Sequence, residues 1–223
     1  MPTLALFDLD HTLIPFDSGM AWTDFLVGEG VLPPEFRTTY LAYCHQYVAG
    51  TLDIRAMHRA SVAPLQAMAP AELDRWLLRF EAAVADRLPE AARALVQHHR
   101  AAGDRCAIVT ATTRFVAEPF ARLFGIDDLI ATEAERIAGQ LTGEIAGEPC
   151  YREHKLTHVN RWLALQAPAL PTRLSGFSRS WFYSDSAGDL PLLQAVSNPV
   201  AVSPDQRLCA TAAAAGWPVI RLG

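Results

Sequence analysis

The chain opens with a short apolar run, Thr3 to Asp8, that ends on acidic residues. That is the pattern of a parallel strand buried on both faces and delivering side chains at its carboxyl end. From about residue 18 to residue 87 the character changes: almost nothing reads as a strand, and apolar positions recur at helical spacing. Pro33 and Pro34 suit a first helical turn, Phe36, Tyr40, Tyr43, Tyr47 and Val48 share one face, and Gly50 suits a terminus. A second stripe, Leu73, Trp76, Leu77, Phe80 and Val84, follows Pro70. These aromatics read as the core of a bundle rather than a ligand box. About four packed helices are predicted here.

From Pro89 the pattern alternates. A helix to about Ala102, stopped by Gly103, precedes the apolar strand Cys106 to Thr110. A helix up to Gly125 follows, delayed or kinked at Pro119, and then a strand from Leu129 to Thr132. Residues 134–145, with Gly139 and Gly143, read as a hairpin. Glu153 to Leu165, Asp189 to Val196 and Asp205 to Ala215 read as helices, and Trp181 to Ser184, Pro199 to Val202 and Val219 to Leu222 as strands. Strands separated by helices predict an α/β fold, a Rossmann-like parallel sheet covered on both faces, with ligands at the strands' carboxyl ends. Residues 1–15 and 88–223 would form the core domain, and residues 16–87 an inserted helical module resembling a four-helix bundle.

Composition narrows the class. Twenty-four acidic against nineteen basic residues, with no dense Lys/Arg run, argue against a nucleic-acid partner. Cys44, Cys106, Cys150 and Cys209 are scattered without CxxC spacing, so neither zinc nor a disulfide framework is expected, and a reducing cytoplasm fits best. No uncharged apolar run nears the roughly 20 residues that span a bilayer. A soluble protein without a membrane partner is expected.

The chemistry concentrates at predicted strand ends. In Phe7-Asp8-Leu9-Asp10-His11-Thr12-Leu13 two carboxylates lie two apart and point to the same side of an extended chain. Their repulsion must be offset by a cation or a shared proton, and both solutions serve phosphoryl transfer; a solvated turn is the bland alternative. Tyr183-Ser184-Asp185-Ser186-Ala187-Gly188-Asp189 brings two more acids to the same sheet edge, either as an oxygen-rich Mg²⁺ site or as a helix cap. Between them, Ile108-Val109-Thr110-Ala111-Thr112 ends a strand in hydroxyls, and Lys155 opens a helix. A hydroxyl and backbone N–H groups at such a turn can hold phosphate oxygens, with a lysine as counter-charge.

In this order the four signals resemble the haloacid dehalogenase superfamily: an Asp-x-Asp-x-Thr first motif, a Ser/Thr second motif, a lysine and an acidic fourth motif. The helical insert after the first motif is similar to the cap of the phosphoserine-phosphatase-like branch, as are the endings Asn198 to Asp205 and Gly216 to Ile220. Ser184 and His154 depart from the pattern, which commonly has Gly at both places. The resemblance implies an Mg²⁺-dependent phosphatase acting on a small-molecule phosphate monoester. Asp8 would be the nucleophile forming an aspartyl-phosphate, and Asp10 the acid and base. Thr110 and the Ala111 N–H would hold a phosphoryl oxygen, with Lys155 neutralising charge. The metal site would comprise Asp8, the Asp10 carbonyl and Asp185, with Asp189 nearby orienting a metal water or Lys155. A phosphomutase on the same motifs, a non-catalytic phosphate-binding module and a phosphoprotein phosphatase are the rivals. The insert of about 70 residues favours small substrates.

The same resemblance bears on specificity. In that branch a Glu soon after the first motif holds the substrate's ammonium and a cap Arg its carboxylate. Here those positions read as Asp17 and Ser61, so phosphoserine is expected to be a poor substrate. Arg55, His58 and Arg59 on the same predicted helix are candidates for a different leaving group, such as a phosphorylated amino alcohol or sugar; a solvated helix face is their alternative reading.

Overall fold

A computed structural model of the chain describes residues 2–166, 168 and 170–223. Six parallel strands form the main sheet: β1 (Thr3–Phe7), β2 (Arg105–Thr113), β3 (Asp128–Thr132), β6 (Arg179–Ser184), β7 (Asn198–Val202) and β8 (Val219–Ile220). Their order is β3-β2-β1-β6-β7-β8. The antiparallel pair β4 (Ala134–Ile137) and β5 (Gln140–Ile145) makes the predicted hairpin.

Period-two alternation divides the core. On β1, Ala5 and Phe7 face one apolar cluster and Leu4 and Leu6 the other; on β2, Cys106 and Ile108 share the first, Ala107 and Val109 the second. All four apolar residues of β1 are fully buried, which explains the unbroken apolar run. The connection runs outward from β1 toward β3 on one side and from β6 toward β8 on the other, so the strand order reverses between β1 and β6. In open α/β sheets that reversal opens a crevice at the strands' carboxyl ends.

Four helices occupy the early segment: α1 (Ser18–Gly28), α2 (Glu35–Ala49), α3 (Ile54–Val62) and α4 (Pro70–Val84). The second half carries α5 (Glu90–Ala101), α6 (Arg114–Phe124), α7 (His154–Leu165), α8 (Leu190–Leu193) and α9 (Gln206–Ala215). The four early helices do not close on one another as a separate bundle: α4 lies against α6 and α3 against β5. One apolar cluster joins Trp22, Leu73, Leu77 and Phe80 to Phe7, Ile108 and Phe120. The expected stripe on α4 is seated as predicted, with Leu73, Leu77, Phe80 and Val84 buried.

On α2 the expectation fails. Only Tyr40 of that helix is buried, and Val48 is 85% exposed. The helix packs chiefly on α1, and its tyrosines at 40 and 47 turn polar ends toward the strand edge instead of forming a core. Elsewhere the differences are of length: α6 continues through Pro119, α8 is a single turn after a 3₁₀ turn at Ala187–Asp189, and the last strand is two residues long.

Phe80 is the joint between the early helices and the sheet layer. Its ring is fully buried and stands 5.1 Å from Trp22, 5.5 Å from Phe25 and 5.7 Å from Phe120, centroid to centroid. Phe80→Ala is expected to cost about 3–5 kcal/mol. Because one core serves both layers, urea unfolding followed by tryptophan fluorescence and by circular dichroism should give coincident transitions at a lower midpoint; separated transitions would mean the helices fold as their own unit.

Candidate active site

The register brings the chemistry to one level. Phe7 pairs with Ile108 on one side and Tyr183 on the other, so Asp8 leaves β1 beside Val109 and Ser184, and its N–H donates to Tyr183 O at 2.9 Å. The chain then wraps on a single acceptor: Leu9 O takes the N–H groups of Thr12, Leu13 and Ile14. The turn needs a left-handed residue at His11 (φ 56°), a conformation His tolerates better than bulky branched side chains. It turns Asp10 to one side, where Oδ1 accepts from Ser18 N at 2.7 Å and Oδ2 from the Thr112 hydroxyl at 2.6 Å.

Lys155 sits at the centre. Its Nζ lies 2.9 Å from Asp8 Oδ1 and 2.7 Å from Asp189 Oδ2, and all three side chains are almost wholly buried. Burial works against the ammonium charge, but Asp189 and Asp8 outweigh it and hold the pKa well above the ordinary lysine value. Ser184 Oγ donates to the same Asp189 oxygen at 2.7 Å and accepts from Ser186 N at 3.2 Å. The hydroxyl at this departure from the family pattern therefore fixes the turn that carries Asp185. Asp189 was expected to orient a metal water or Lys155; its Oδ2 is shared by Lys155 and Ser184.

Asp8 and Asp185 are the pair that a cation would join. Burial is the main cause that lifts Asp8 to about 7, against the pull of Lys155. Burial first and Asp8 second lift Asp185 to about 8, and Thr12 Oγ1 donates to its Oδ1 at 3.4 Å. Two carboxylates shielded from water, one raising the other, fit a hard divalent ion. Among the described residues no three His, Cys, Asp or Glu side chains gather as a metal-binding group. A site of two carboxylates and a backbone carbonyl suits magnesium, which keeps several waters.

The last residues of β2 behave as the hydroxyl pattern predicts in part. Thr110 is buried, and its Oγ1 accepts from Thr112 N at 3.1 Å. Pairing between β2 and β3 slips between Val109 and Thr113, which frees the 110–112 backbone from the ladder. Thr112 was not singled out from the sequence, yet it ties Asp10 to Ser18 through a 3.0 Å hydroxyl contact.

The four specificity candidates separate. Asp17 caps α1 by accepting from Met20 N at 2.7 Å and also takes the Tyr40 hydroxyl at 3.0 Å; burial and then Asp10 raise it to about 7. Arg55 reaches Gly147 O at 2.8 Å and Glu148 at 3.2 Å, and Arg59 reaches Glu144 at 3.3 Å. His58 bridges Thr113 Oγ1 and Glu144 O, each at 3.2 Å. These three fasten α3 to the hairpin, to the loop after it and, through Thr113, to β2. The sequence reading also missed Tyr47, whose hydroxyl crosses from α2 to donate to Ser186 Oγ at 3.1 Å.

A switch-point crevice on a Rossmann-like sheet thus holds a lysine between two buried aspartates, with two further acids alongside. The chain belongs to the haloacid dehalogenase-like hydrolases, whose family model matches residues 5–194. It is 38% identical to a protein of Neisseria meningitidis serogroup C (strain 8013) named histidinol-phosphatase, over 99% of both chains. It is 29% identical to a Mycobacterium tuberculosis (strain ATCC 25618 / H37Rv) protein named phosphoserine phosphatase, covering 96% of this chain and 69% of the relative. A crystal structure of a Bordetella pertussis Tohama I protein of unknown function superposes with a TM-score of 0.92 at 43% identity over the whole of both chains. The chain is accordingly a phosphatase of this family. No helix of the described residues is long and apolar enough to cross a membrane.

His58 carries a pH consequence. Burial is the chief cause lowering its pKa from the ordinary 6.5, so the unfolded chain binds the proton more readily than the folded one. The stability present above pH 6.5 is therefore lost as pH falls through that value toward the folded pKa. Melting temperatures measured at pH 7.5 and 5.5 should drop more in the native protein than in His58→Gln, which keeps one donor and one acceptor; equal drops would remove His58 as a cause.

Proposed function

We propose that the protein hydrolyses the phosphate monoester of a small amino alcohol, of the histidinol phosphate kind, through an aspartyl-phosphate on Asp8. The observation that carries the chemistry is the buried Lys155 ammonium between Asp8 and Asp189, at 2.9 and 2.7 Å. It leaves Asp8 partnered by a positive charge at the point where a phosphate dianion would arrive. One Asp8 oxygen attacks phosphorus in line as the bond to the leaving oxygen breaks, and Asp10 gives that oxygen its proton. Asp10 then takes a proton from water, whose oxygen attacks the acyl phosphate and releases inorganic phosphate and the Asp8 carboxylate. Thr112 and Ser18 hold Asp10 in place for both transfers.

Thr110 and the Ala111 N–H are suited to a phosphoryl oxygen, each such contact contributing roughly 3 kcal/mol where charge builds. A magnesium ion held by Asp8, Asp185 and the Asp10 carbonyl would supply Lewis-acid neutralisation of the phosphoryl oxygens. Residues 16–87 are assigned as the cap and residues 1–15 with 88–223 as the core, since α1 and α2 bring Asp17, Ser18 and Tyr47 to the strand edge.

The leaving group is read from charge. Asp17, raised to about 7 beside Asp10, is an acceptor that an ammonium would restore to its ionised form. Ser61, where a carboxylate-binding Arg would be expected, turns its hydroxyl back to Met57 O at 2.9 Å, and Arg55 and Arg59 are paired with Glu148 in the loop after the hairpin and Glu144 on it. An amino alcohol is accommodated better than an amino acid by that arrangement. The full-length relative named histidinol-phosphatase supports the same choice.

With magnesium present, phosphate release from histidinol phosphate should exceed that from phosphoserine by about tenfold or more in kcat/KM, the worth of one charge-assisted contact. Phosphoserine as the faster substrate would overturn the substrate class. Asp8→Asn keeps the shape of the side chain and removes its charge, so turnover should fall by several orders of magnitude while the far-ultraviolet spectrum is retained. Near-normal release would rule out the covalent route. Asp10→Asn should slow alkyl phosphates far more than nitrophenyl phosphate, whose leaving group needs little protonation; equal losses would contradict the acid role.

A further inference from the structure

The catalytic edge is not closed equally on all sides. A cavity of about 380 Å³ reaches Asp185 from the side of the sheet where β7 and β8 end. His11, Pro15 and Ser203 stand exposed at its mouth, and the buried Thr12 and Val202 lie deeper. None of its lining residues belongs to α1–α4, so it is separate from the space beneath those helices. On that other side the contacts are made: the Tyr47 hydroxyl bonds to Ser186 and the Tyr40 hydroxyl to Asp17. Asp185 is partly exposed, while Asp8, Lys155 and Asp189 are buried.

The walls of the cavity are held in place. Ser203 N donates to Ile220 O at 2.9 Å and Asp205 N to Asp185 O at 2.8 Å, and Asp205 Oδ2 accepts from Ala187 N at 2.7 Å. Ser203 and His11 both take left-handed backbones, at φ 40° and 56°, which persist only where the surrounding structure over-determines them. The opening is therefore a built feature of the turns after β1 and β7. Its charge is one-sided, since Asp185 and Asp205 line it and no lysine or arginine does. A cleft of that kind concentrates cations and repels a phosphate ester. At about 30 Å³ per water it has room for on the order of ten waters, which suits a divalent ion that dehydrates reluctantly.

We propose that this cavity is a side passage through which a hydrated divalent cation reaches and leaves Asp185 while α1 and α2 stay in place over the site. The inference rests on the assignment of the metal to Asp8, Asp185 and the Asp10 carbonyl, and adds how the ion arrives there. Asp185 is the residue that the passage and the metal position share. The Thr12 hydroxyl, 3.4 Å from its Oδ1, is too distant for a strong hydrogen bond and can yield to the ion. Metal exchange is then independent of the alcohol held beneath the helices.

The test uses Mn²⁺ alone, a hard ion with the same preference for oxygen ligands, added to metal-free protein. Rapid-mixing electron paramagnetic resonance of the free ion gives the association and release rates, and their ratio gives Kd. Tryptophan is placed on the cavity from opposite walls, as Pro89→Trp and as Pro15→Trp, at positions not assigned to the reaction. A blocked passage raises the barrier to arrival and departure alike, so both rates should fall roughly tenfold while Kd changes by less than about threefold. Tyr47→Phe, which releases α2 from Ser186, should leave both rates within about twofold of native. Either tryptophan variant that keeps the native far-ultraviolet spectrum is sufficient. A fall of less than about threefold in the rates, a Kd that changes as much as the rates do, or faster exchange in Tyr47→Phe would overturn the passage and leave the metal assignment standing. If Mn²⁺ does not bind the native protein, or binds Asp185→Asn equally well, the metal assignment falls and the passage falls with it.

Discussion

Everything at the catalytic edge depends on one buried ammonium. The reversal of strand order between β1 and β6 brings Asp8 and Asp189, both buried, and the partly buried Asp185 to one crevice. Buried like charges of that kind protonate or push the fold apart unless a counter-charge stands among them. Lys155 meets this need by bonding to two of the three, and its own burial is tolerable because it has both. The arrangement also sets a division of labour. Asp189 is bound to the lysine and to Ser184, leaving Asp8 and Asp185 as the carboxylates open to phosphate and cation. Ser184 belongs to the same logic, since a residue without a hydroxyl would leave Asp189 with one donor fewer and the Asp185 turn without its tie to Ser186 N.

The early helices act on this edge from outside. Because α4 shares the core of α6, and α3 is fastened to the hairpin through Arg55, His58 and Arg59, the position of α2 is fixed by packing at some distance from the chemistry. Its inward tyrosines can then be exact in reach without being part of a core. Gly19 makes one of those approaches possible: a Cβ there would lie 1.9 Å from the Tyr40 hydroxyl, which could no longer meet Asp17. A backbone position on α1 thus controls a contact between α2 and Asp17.

Much of this was legible in the sequence, for identifiable reasons. The two-residue spacing of Asp8 and Asp10 after an apolar run, and the acidic turn after a second run, are local patterns that survive folding unchanged. The parallel sheet followed from alternation of strand and helix. What the sequence concealed depends on contacts between distant segments. The tyrosines of α2 repeat at helical spacing and so look like core, although a phenol at such a position can equally turn its hydroxyl to a site. Arg55 and Arg59 looked free because Glu148 and Glu144, their partners, lie about 90 residues along the chain. Thr112 was passed over because a hydroxyl at a strand end has meaning only once the carboxylate opposite it is known.

The separation of these two kinds of residue has a consequence for how the molecule can change. The groups assigned to bond making, at positions 8, 10, 110 and 185, stand on or just beyond strand ends whose register is set by a core packed on both faces, with Lys155 in the first turn of α7. The group assigned to the leaving alcohol, Asp17, and the Tyr40 hydroxyl bound to it stand at the cap of α1 and on α2. A substitution among the first set disturbs a network in which each buried charge relies on another, so its effects cannot be confined to one contact. A substitution among the second changes what the roof accepts while Lys155 keeps both of its partners. Selectivity can therefore drift without loss of the phosphoryl-transfer chemistry, and the shared fold fixes the reaction far more tightly than it fixes the alcohol released.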